Sequence, residues 1–384
     1  MYDFLGFAEE KRKKKNLAGC TSFLRMGELM NGWEKYIRKV EPYTPGEQPN
    51  LAGMIKLNTN ECPYPPTPRV KKALEQLIER SDELRLYPDF AAKPLVESLA
   101  AYYKLAPEQV FVGVGSDDVL SVAFQTFFNS EKPILFPDIT YSFYDVWAEM
   151  YRIPYQKIAL DQEFRIRRED YYRENGGIVI ANPNAPTSIA EGMDFIEDIL
   201  RNNPDSVVIV DEAYVDFGAA SALPLLKKYD NLLVVQTFSK SRAMAGMRIG
   251  YAMGNIALIE AMNNVKYSVN SYTMNTPSIL CGVCAVEDDA YFKDCCQKVI
   301  ATREWARKEL AKLRFTCLDS SANFLFAAHQ NIPAQVIFES LRKKNIFVRY
   351  FKKPRIDNYL RITIGTDSHM KILIDALSEI VGNR

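Results

Sequence analysis

The sequence predicts an α/β protein with two parts: a large domain built on a mostly parallel sheet with helices on both faces, and a smaller α+β domain. Short runs of β-branched and other apolar residues alternate with helical patterns up to about residue 255. Such continuous apolar runs are typical of strands buried on both faces of a parallel sheet. Beyond residue 255 the pattern changes to longer helices and fewer strands, which indicates the second domain.

Each predicted strand is bounded by turn residues or by a helical pattern. The large domain contains QVFVGVG (109–115), KPILFPD (132–138), GIVIANP (177–183), SVVIVDEAY (206–214), NLLVVQTFS (231–239) and MRIGYAMG (247–254). The small domain contains the strands NFLFAAH, IFVRYF and YLRITIG and the helices 291–313, 334–345 and 367–382. We therefore predict a mobile extension at 1–28, a large domain at 56–285 and a small domain at 286–384.

Composition excludes several classes of protein. The 384 residues include 48 Lys and Arg and 48 Asp and Glu, so the net charge gives no general attraction to nucleic acid or to an anionic membrane. Seven cysteines and two histidines are present, and Cys281 and Cys284 form a single C-x-x-C in a helical stretch, so we expect no metal site. Scattered free thiols, and basic residues where an export signal needs an apolar stretch, favour a cytoplasmic protein.

Polar side chains cluster where the predicted strands end. Ligands of open α/β sheets bind outside the carboxyl ends of the strands, so residues at these positions are the candidates for a site. Hydroxyl groups, a carboxylate, a phenol and an amine converge there. The residues are Gly115, Ser116 and Asp117 after the first strand, Asn182 to Thr187 after the third, Asp211 and Tyr214 after the fourth, and Thr237, Ser239 and Lys240 after the fifth.

This set of groups fits pyridoxal 5′-phosphate. The turn GVGSDD lacks the third glycine of a dinucleotide fingerprint, but a helix N-terminus binds a single phosphate well, and Arg248 adds charge. A lysine such as Lys240 reacts with the aldehyde, and a carboxylate such as Asp211 keeps the ring nitrogen protonated. Tyr214 is a phenol suited to the ring hydroxyl, and Tyr141 an aromatic ring suited to stacking.

The motifs DEAYVDF, TFSKSRAMAGMRIGY and YLRITIGT resemble those of the fold-type I, class I/II aminotransferases. The segments KVEPYTPGEQP (39–49), LNTNECPYPP (57–66) and LRLYPD (84–89) resemble the histidinol-phosphate branch of that family. The resemblance covers residues 32 to the C-terminus. It implies a homodimer in which an N-terminal arm, residues 29–55, packs on the partner.

The resemblance also implies individual roles. Lys240 is the Schiff-base lysine and proton shuttle, Asp211 the partner of the ring nitrogen, and Tyr214 the partner of the ring oxygen O3′. Tyr141 stacks on the ring, and Tyr87 reaches the phosphate from the neighbouring subunit. The phosphate is otherwise held by Ser116, Asp117, Thr237, Ser239 and Arg248, and the substrate by Tyr43, Arg349 and Arg361.

One position departs from the family pattern. The family usually has an asparagine before the second proline, where this chain reads NPNAPTS with Ala185. Asn184 is therefore expected to take over the contact with O3′, and Asn182 is the other candidate. Simpler interpretations remain open for four residues: Lys240 as a surface lysine, Asp211 as a helix N-cap, Tyr141 as a core aromatic, and Tyr87 as a packing residue beside Pro88.

Two cations in the small domain suggest the substrate. A phosphate dianion rewards more than one cation, and the histidinol-phosphate branch implies that Arg349 and Arg361 both meet it, unless Arg349 is only an exposed charge on a strand. The expected reaction moves an amino group from L-histidinol phosphate to 2-oxoglutarate. The alternatives are an aromatic amino-acid aminotransferase, a threonine-phosphate decarboxylase, and a regulatory module without turnover, although no helix-turn-helix pattern is present.

Overall fold

The structure is a computed structural model that describes residues 32–44 and 46–382, so the extension predicted at 1–28 lies outside it. The chain divides into two units between Glu41 and Pro42. In the first unit the described residues include one turn of 3-10 helix, Glu34–Tyr36. No helix in the described ranges is long and apolar enough to span a membrane.

From Pro42 onward, strands and helices alternate along most of the chain. The strands are β1 (Ile55–Leu57), β2 (Val110–Gly113), β3 (Ile134–Pro137), β4 (Tyr155–Ile158), β5 (Gly177–Ala181), β6 (Val208–Asp211), β7 (Leu232–Thr237), β8 (Gly250–Gly254), β9 (Phe315–Cys317), β10 (Phe324–His329), β11 (Ile346–Tyr350) and β12 (Leu360–Thr363). The helices are α1 (Pro68–Glu79), α2 (Lys93–Tyr103), α3 (Ser116–Phe127), α4 (Tyr144–Tyr151), α5 (Met193–Asn202), α6 (Ile256–Val269), α7 (Thr276–Glu287), α8 (Asp289–Lys312), α9 (Ala334–Lys343) and α10 (Asp367–Gly382).

The larger sheet has seven strands in the order β2-β8-β7-β6-β5-β3-β4. Strands β3 to β7 pair in parallel, and β8 is antiparallel to both of its neighbours. The predicted mostly parallel sheet is thus confirmed. The chain crosses from β2 at one edge to β3 and β4 at the other, and then returns strand by strand from β5 to β8. Where neighbouring strands continue in opposite directions, as β3 and β5 do, a crevice forms at their carboxyl ends.

Apolar cores form on both faces of this sheet because its central strands are buried on both faces and mostly apolar. In β5, Ile178 and Ile180 belong to one core, whereas Val179 belongs to the other. Successive side chains of a strand point to opposite faces, so a strand without polar positions needs helices on both sides. Helices α2 and α5 contribute to the first core, and α3, α4 and α6 to the second.

The second sheet has five strands in the order β1-β11-β12-β10-β9. Its core includes residues of α8, α9 and α10. Strand β1 straddles the domain boundary predicted at 55/56 and pairs in parallel with β11, from Ile55 opposite Ile346 to Leu57 opposite Val348. Residues just after β1 are thereby delivered to the region between the two sheets.

Three strands were not predicted, for a common reason. β1 and β9 have three residues each, and β4 is an edge strand whose central Gln156 and Lys157 are exposed, so none of them has the apolar run of a buried strand. Cys281 and Cys284 lie in helix α7, as expected. The six cysteines within the described ranges are free thiols, and no cluster of possible metal ligands occurs there.

Strand β8 fixes the turn that begins helix α3. Gly250 pairs with Gly113 of β2 on one side and with Thr237 of β7 on the other. A Cβ atom at Gly250 would lie 2.2 Å from the backbone carbon of Gly115 and 2.3 Å from the backbone nitrogen of Ser116. The strand and the turn therefore approach as closely as backbones can.

We predict that Gly250→Ala lowers the free energy of unfolding by about 1–3 kcal/mol, as overpacking usually does, because two backbone segments must move apart. Gly246→Ala is the matched control, since no atom lies within 4 Å of a Cβ built there. Urea unfolding of both variants measures the difference. Equal stability of the two variants would contradict the close approach.

Candidate active site

The predicted lysine lies in the crevice and not on the outer surface. Lys240 follows β7 and is half-buried, and its Nζ donates a hydrogen bond to the backbone oxygen of Thr59 at 3.2 Å. The same Nζ lies 5.7 Å from the ring centroid of Tyr214. The amine thus lies near Thr59, which follows β1, and near Tyr214, in the loop after β6, although both are distant from it in sequence.

Asp211 ends β6 and is only 5% exposed. Tyr144 Oη donates to its Oδ2 at 2.7 Å, and the backbone N–H of Ala213 donates to its Oδ1 at 3.2 Å. Burial raises the pKa of the Asp211 carboxyl to about 6, and these two hydrogen bonds limit the rise. The N-cap interpretation is wrong, because the next helical turn begins at Val215.

Sequence reasoning missed Tyr144. It lies in the segment that was predicted to be helical, and α4 begins at this residue. Its side chain is fully buried, and burial together with Asp211 raises the pKa of its phenol well above the ordinary value. No local pattern distinguishes a tyrosine that bonds a distant carboxylate from one that only packs.

Tyr214 lies between the two sheets. Its hydroxyl accepts a hydrogen bond from Asn60 Nδ2 at 3.0 Å, and its ring meets Phe324 edge-on at 5.1 Å between centroids. Ala185 joins the same small apolar cluster. The side chain that replaces the usual asparagine therefore belongs to the apolar cluster against which Tyr214 packs.

Neither predicted asparagine substitutes simply for the missing one. Asn184 Nδ2 donates to the backbone oxygen of Ile139 and to Thr187 Oγ1, both at 2.9 Å, and its Oδ1 accepts from Thr140 at 2.7 Å. Both amide hydrogens are thus used within the protein, so a contact of Asn184 with the cofactor ring, which stays a prediction, would require one of these bonds to be exchanged. Asn182 pairs with the backbone of Glu191 through both its amide oxygen and its amide nitrogen.

The turn before α3 forms an anion cradle. Gly115 has φ of +87°, and a Cβ atom there would lie 2.6 Å from Arg248 Nη2. The backbone N–H groups of Ser116 and Asp117 lie in the first turn of α3. Such groups have no hydrogen-bond acceptor within the helix and can donate to a ligand. Arg248 Nη2 lies 3.7 Å from Asp117 Oδ2, so the guanidinium stands at the mouth of this turn.

Hydroxyl groups at the end of β7 complete the cradle. Thr237 Oγ1 lies 3.1 Å from Ser239 Oγ and accepts the Ser239 backbone N–H, also at 3.1 Å. Both residues are buried. Since Gly250 joins β7 and β8 beside the turn at Gly115, the structure brings all five predicted phosphate-binding residues to one region.

An aromatic group forms one wall of the crevice. Tyr141 precedes α4 and donates its hydroxyl hydrogen to Asp117 Oδ1 at 2.8 Å, and burial together with this carboxylate raises the pKa of its phenol. Tyr43 stacks on Phe143 at 4.2 Å and lies 6.3 Å from Tyr141. This part of the arm therefore lies beside Tyr141 of its own chain, and its predicted packing on a partner stays a prediction.

Two arginines face each other across β11 and β12. Arg349 pairs directly with Arg361, and Arg361 Nη2 donates to the backbone oxygen of Asn58 at 2.9 Å. The Nε atom of Arg361 is buried without a hydrogen-bond partner, and burial lowers the pKa of this guanidinium. Like charges directly opposite each other are unfavourable, so the pair favours an anion between them.

Tyr87 is not a core packing residue, since it is 81% exposed. Its ring stacks on that of Tyr272 at 4.5 Å. Large apolar side chains around it are also exposed, namely Leu84, Leu86, Phe90 and Val269. Exposed apolar groups of this size indicate an interaction surface.

Comparison with known proteins identifies the family. The chain is 50% identical over 352 residues to the histidinol-phosphate aminotransferase of Lactococcus lactis subsp. cremoris (strain MG1363), which covers 92% of this chain and 98% of that protein. It is 51% identical over 352 residues to histidinol-phosphate aminotransferase 2 of Dechloromonas aromatica (strain RCB), which covers 91% and 99% of the two chains.

The crystal structure of the histidinol-phosphate aminotransferase from Sinorhizobium meliloti, in complex with pyridoxal-5′-phosphate, has the same fold. It superposes with a TM-score of 0.79 at 21% identity, over 86% of this chain and 91% of that chain. The family model of the class I and II aminotransferases matches residues 52–377. On these matches, and on a fold predicted from its own residues, the chain belongs to the class I and II aminotransferases.

Proposed function

We propose that this protein transfers the amino group of L-histidinol phosphate to 2-oxoglutarate, giving imidazole acetol phosphate and L-glutamate, a step of histidine biosynthesis. Curated relatives about half identical to it over nine-tenths of the chain carry the name of this activity. The observation within the molecule that carries the proposal is the cross-strand pair of Arg349 and Arg361.

The residues present fit pyridoxal 5′-phosphate. The cradle of Gly115, Ser116, Asp117 and Arg248 admits an anion because no Cβ occupies the space against the guanidinium. The buried carboxylate of Asp211 needs a cationic partner, which a protonated ring nitrogen provides. When bound, the cofactor supplies a ring that withdraws the electron pair released at the substrate Cα.

The proposed site residues then have separate roles in catalysis and binding. Lys240 Nζ holds the cofactor in the resting enzyme and moves the proton at the substrate Cα, since it is the only amine among the proposed site residues. Asp211 keeps the proton on the ring nitrogen, and Tyr214 donates its hydroxyl hydrogen to the ring oxygen. Tyr141 stacks on the ring face, and Thr237 and Ser239 bind the phosphate beside Arg248.

Positive charge determines which substrate the proposed site prefers. Arg361 and Arg349 present two guanidinium groups from adjacent strands, and the Cζ atoms of both lie over the ring of Phe351, at 5.6 and 5.5 Å from its centroid. Arg349 also donates to the backbone oxygen of Thr44, next to Tyr43. This part of the arm therefore lies beside the arginine pair. A phosphate dianion satisfies two cations, whereas one carboxylate is satisfied by one bidentate arginine.

A panel of amino donors tests the proposal. We expect kcat/KM for histidinol phosphate to exceed that for histidinol or phenylalanine by tenfold to over a hundredfold, since one charge-assisted contact contributes about 1.5–3 kcal/mol. Arg349→Ala should remove most of this preference and change the phenylalanine rate little. Arg307→Ala, on helix α8, is the control for loss of a positive charge. A preference for phenylalanine, or release of CO₂ from threonine phosphate, would favour the alternative activities.

We further propose that the active unit is a homodimer in which Tyr87 serves the site of the partner. The support is its exposure within an apolar surface formed by the segment before α2 and the end of α6. A tyrosine suits such an interface, because its apolar ring can pack on the partner subunit while its hydroxyl group binds a ligand there. A twofold axis would place two such residues symmetrically.

Mixing two inactive variants tests this assignment. If Tyr87 acts in the partner's site, a heterodimer of Tyr87→Ala and Lys240→Ala chains has one site with both defects and one with neither. Random exchange should then restore about a quarter of wild-type activity, because half of the dimers are mixed and each has one intact site. No recovery, despite exchange confirmed by sedimentation of labelled chains, would show that Tyr87 acts within its own chain.

The raised pKa of Asp211 makes a separate prediction for the apoprotein. A carboxyl whose pKa rises from 3.8 to about 6 on folding costs stability increasingly as pH rises through that window. Asp211→Asn should therefore stabilise the apoprotein by up to about 3 kcal/mol at pH 8, with the gain vanishing near pH 4, while transamination is largely lost. Urea unfolding across this range measures it, with Asp230→Asn as an exposed control. A gain that did not depend on pH would contradict the cause.

A further inference from the structure

The segment that follows β1 contacts three residues of the proposed site, namely Lys240, Tyr214 and Arg361. Asn58 accepts from Arg361 through its backbone oxygen, Thr59 accepts from Lys240 in the same way, and Asn60 donates to Tyr214. Asn60 is 1% exposed and has φ of 57°, in the left-handed region that asparagine tolerates better than most residues. A buried asparagine in this conformation indicates a specific requirement for its side chain.

The orientation of the Asn60 amide is fixed by Thr363 of β12. The backbone N–H of Asn60 donates to Thr363 Oγ1 at 3.0 Å, so the single hydroxyl hydrogen of Thr363 is left for Asn60 Oδ1, also at 3.0 Å. Asn323 Nδ2 donates to the backbone oxygen of Asn60 at 2.9 Å and holds the backbone in place. With Oδ1 committed to Thr363, the amide must present Nδ2 to Tyr214.

The direction of the next hydrogen bond follows. Asn60 Nδ2 donates to the hydroxyl oxygen of Tyr214 at 3.0 Å, and an amide nitrogen cannot accept a hydrogen in return. The phenol oxygen is therefore an acceptor toward Asn60, and its one hydrogen remains for a different acceptor. Tyr214 packs against the apolar cluster of Ala185 and Phe324, and within the described residues its hydroxyl donates to no protein acceptor, so its hydrogen is available to a bound ligand.

We propose that Thr363 and Asn60 are positioning residues, which orient the hydroxyl hydrogen of Tyr214 toward the ring oxygen of bound pyridoxal phosphate. The inference rests on the proposed function for the cofactor and for Tyr214. It also accounts for Ala185: in a site that lacks the usual asparagine donor, a tyrosine whose hydrogen has a fixed direction secures the remaining contact with the ring oxygen.

The holoenzyme offers a spectroscopic test, namely the pH midpoint at which the visible absorbance of the bound cofactor changes. Donation by Tyr214 stabilises the negatively charged ring oxygen, so loss of the orientation should move the midpoint to higher pH. Thr363→Val, which removes the hydroxyl at nearly constant volume, should shift it by up to about one pH unit. Thr363→Ser, which keeps the hydroxyl, should restore the wild-type midpoint.

A double-mutant cycle separates orientation from general destabilisation. In a Tyr214→Phe background, Thr363→Val should cause no further shift, because there is no hydroxyl hydrogen to orient. Thr302→Val is the matched control, a buried threonine of α8 whose hydroxyl bonds Asp367, and it should reduce stability without moving the midpoint. Equal midpoints for wild type, Thr363→Val and Thr363→Ser, or an undiminished shift in the Tyr214→Phe background, would overturn the inference.

Asn60→Asp gives an independent variant should Thr363→Val fold poorly. The carboxylate keeps the shape and accepts from both Thr363 and Tyr214, which reverses the bond to the phenol. Its negative charge raises the midpoint in any background, so the diagnostic quantity is the extra shift present only when Tyr214 is intact. No extra shift would count against the orientation. A wild-type protein that acquires no visible absorbance with pyridoxal phosphate would overturn the proposed function and this inference together.

Discussion

The buried carboxylate of Asp211 is the constraint on which the rest of the site depends. An uncompensated charge between a sheet and its covering helices is unfavourable unless neighbouring groups donate hydrogen bonds to it or carry the opposite charge. Tyr144 and the backbone of Ala213 donate to it, yet its pKa still rises. The fold thus holds an anion that is fully compensated only when a cationic ring lies beside it, and binding of that ring is favoured accordingly.

The short strand β1 links the second sheet to the residues of the proposed active site. It pairs with β11, and the residues that follow it contact Lys240, Tyr214 and Arg361 through two backbone oxygens and one side-chain amide. In the proposed function, Lys240 and Tyr214 hold the cofactor, whereas Arg361 holds the substrate. A displacement of the second sheet would then affect both binding sites, because the tripeptide 58–60 links them.

The arginine pair on β11 and β12 supports the proposal that the substrate carries two negative charges. Direct cross-strand placement keeps the two guanidinium groups close at the expense of mutual repulsion, and the aromatic ring of Phe351 supports both. The anion cradle at Gly115 lies at the other end of the crevice, formed by backbone and by Arg248. In the proposed function, the phosphates of the cofactor and of the substrate therefore bind at separate places that are built differently.

The sequence by itself determined the class of fold, the strands with continuous apolar runs, and the side chains at the ends of those strands, because burial pattern and chain direction are local properties. Asp211, Lys240, Tyr214 and the cradle residues were found in this way. Tertiary structure alone decided which groups hold them: Tyr144, Asn60 and Thr363 come from other elements, and their hydrogen bonds span between 67 and 303 positions. Tertiary structure also determines that Asn184 donates its hydrogen bonds to Ile139 and Thr187, and that Tyr43 stacks on Phe143. Hydrogen-bond direction and close packing depend on atoms brought together by folding, and no periodicity along the chain records them.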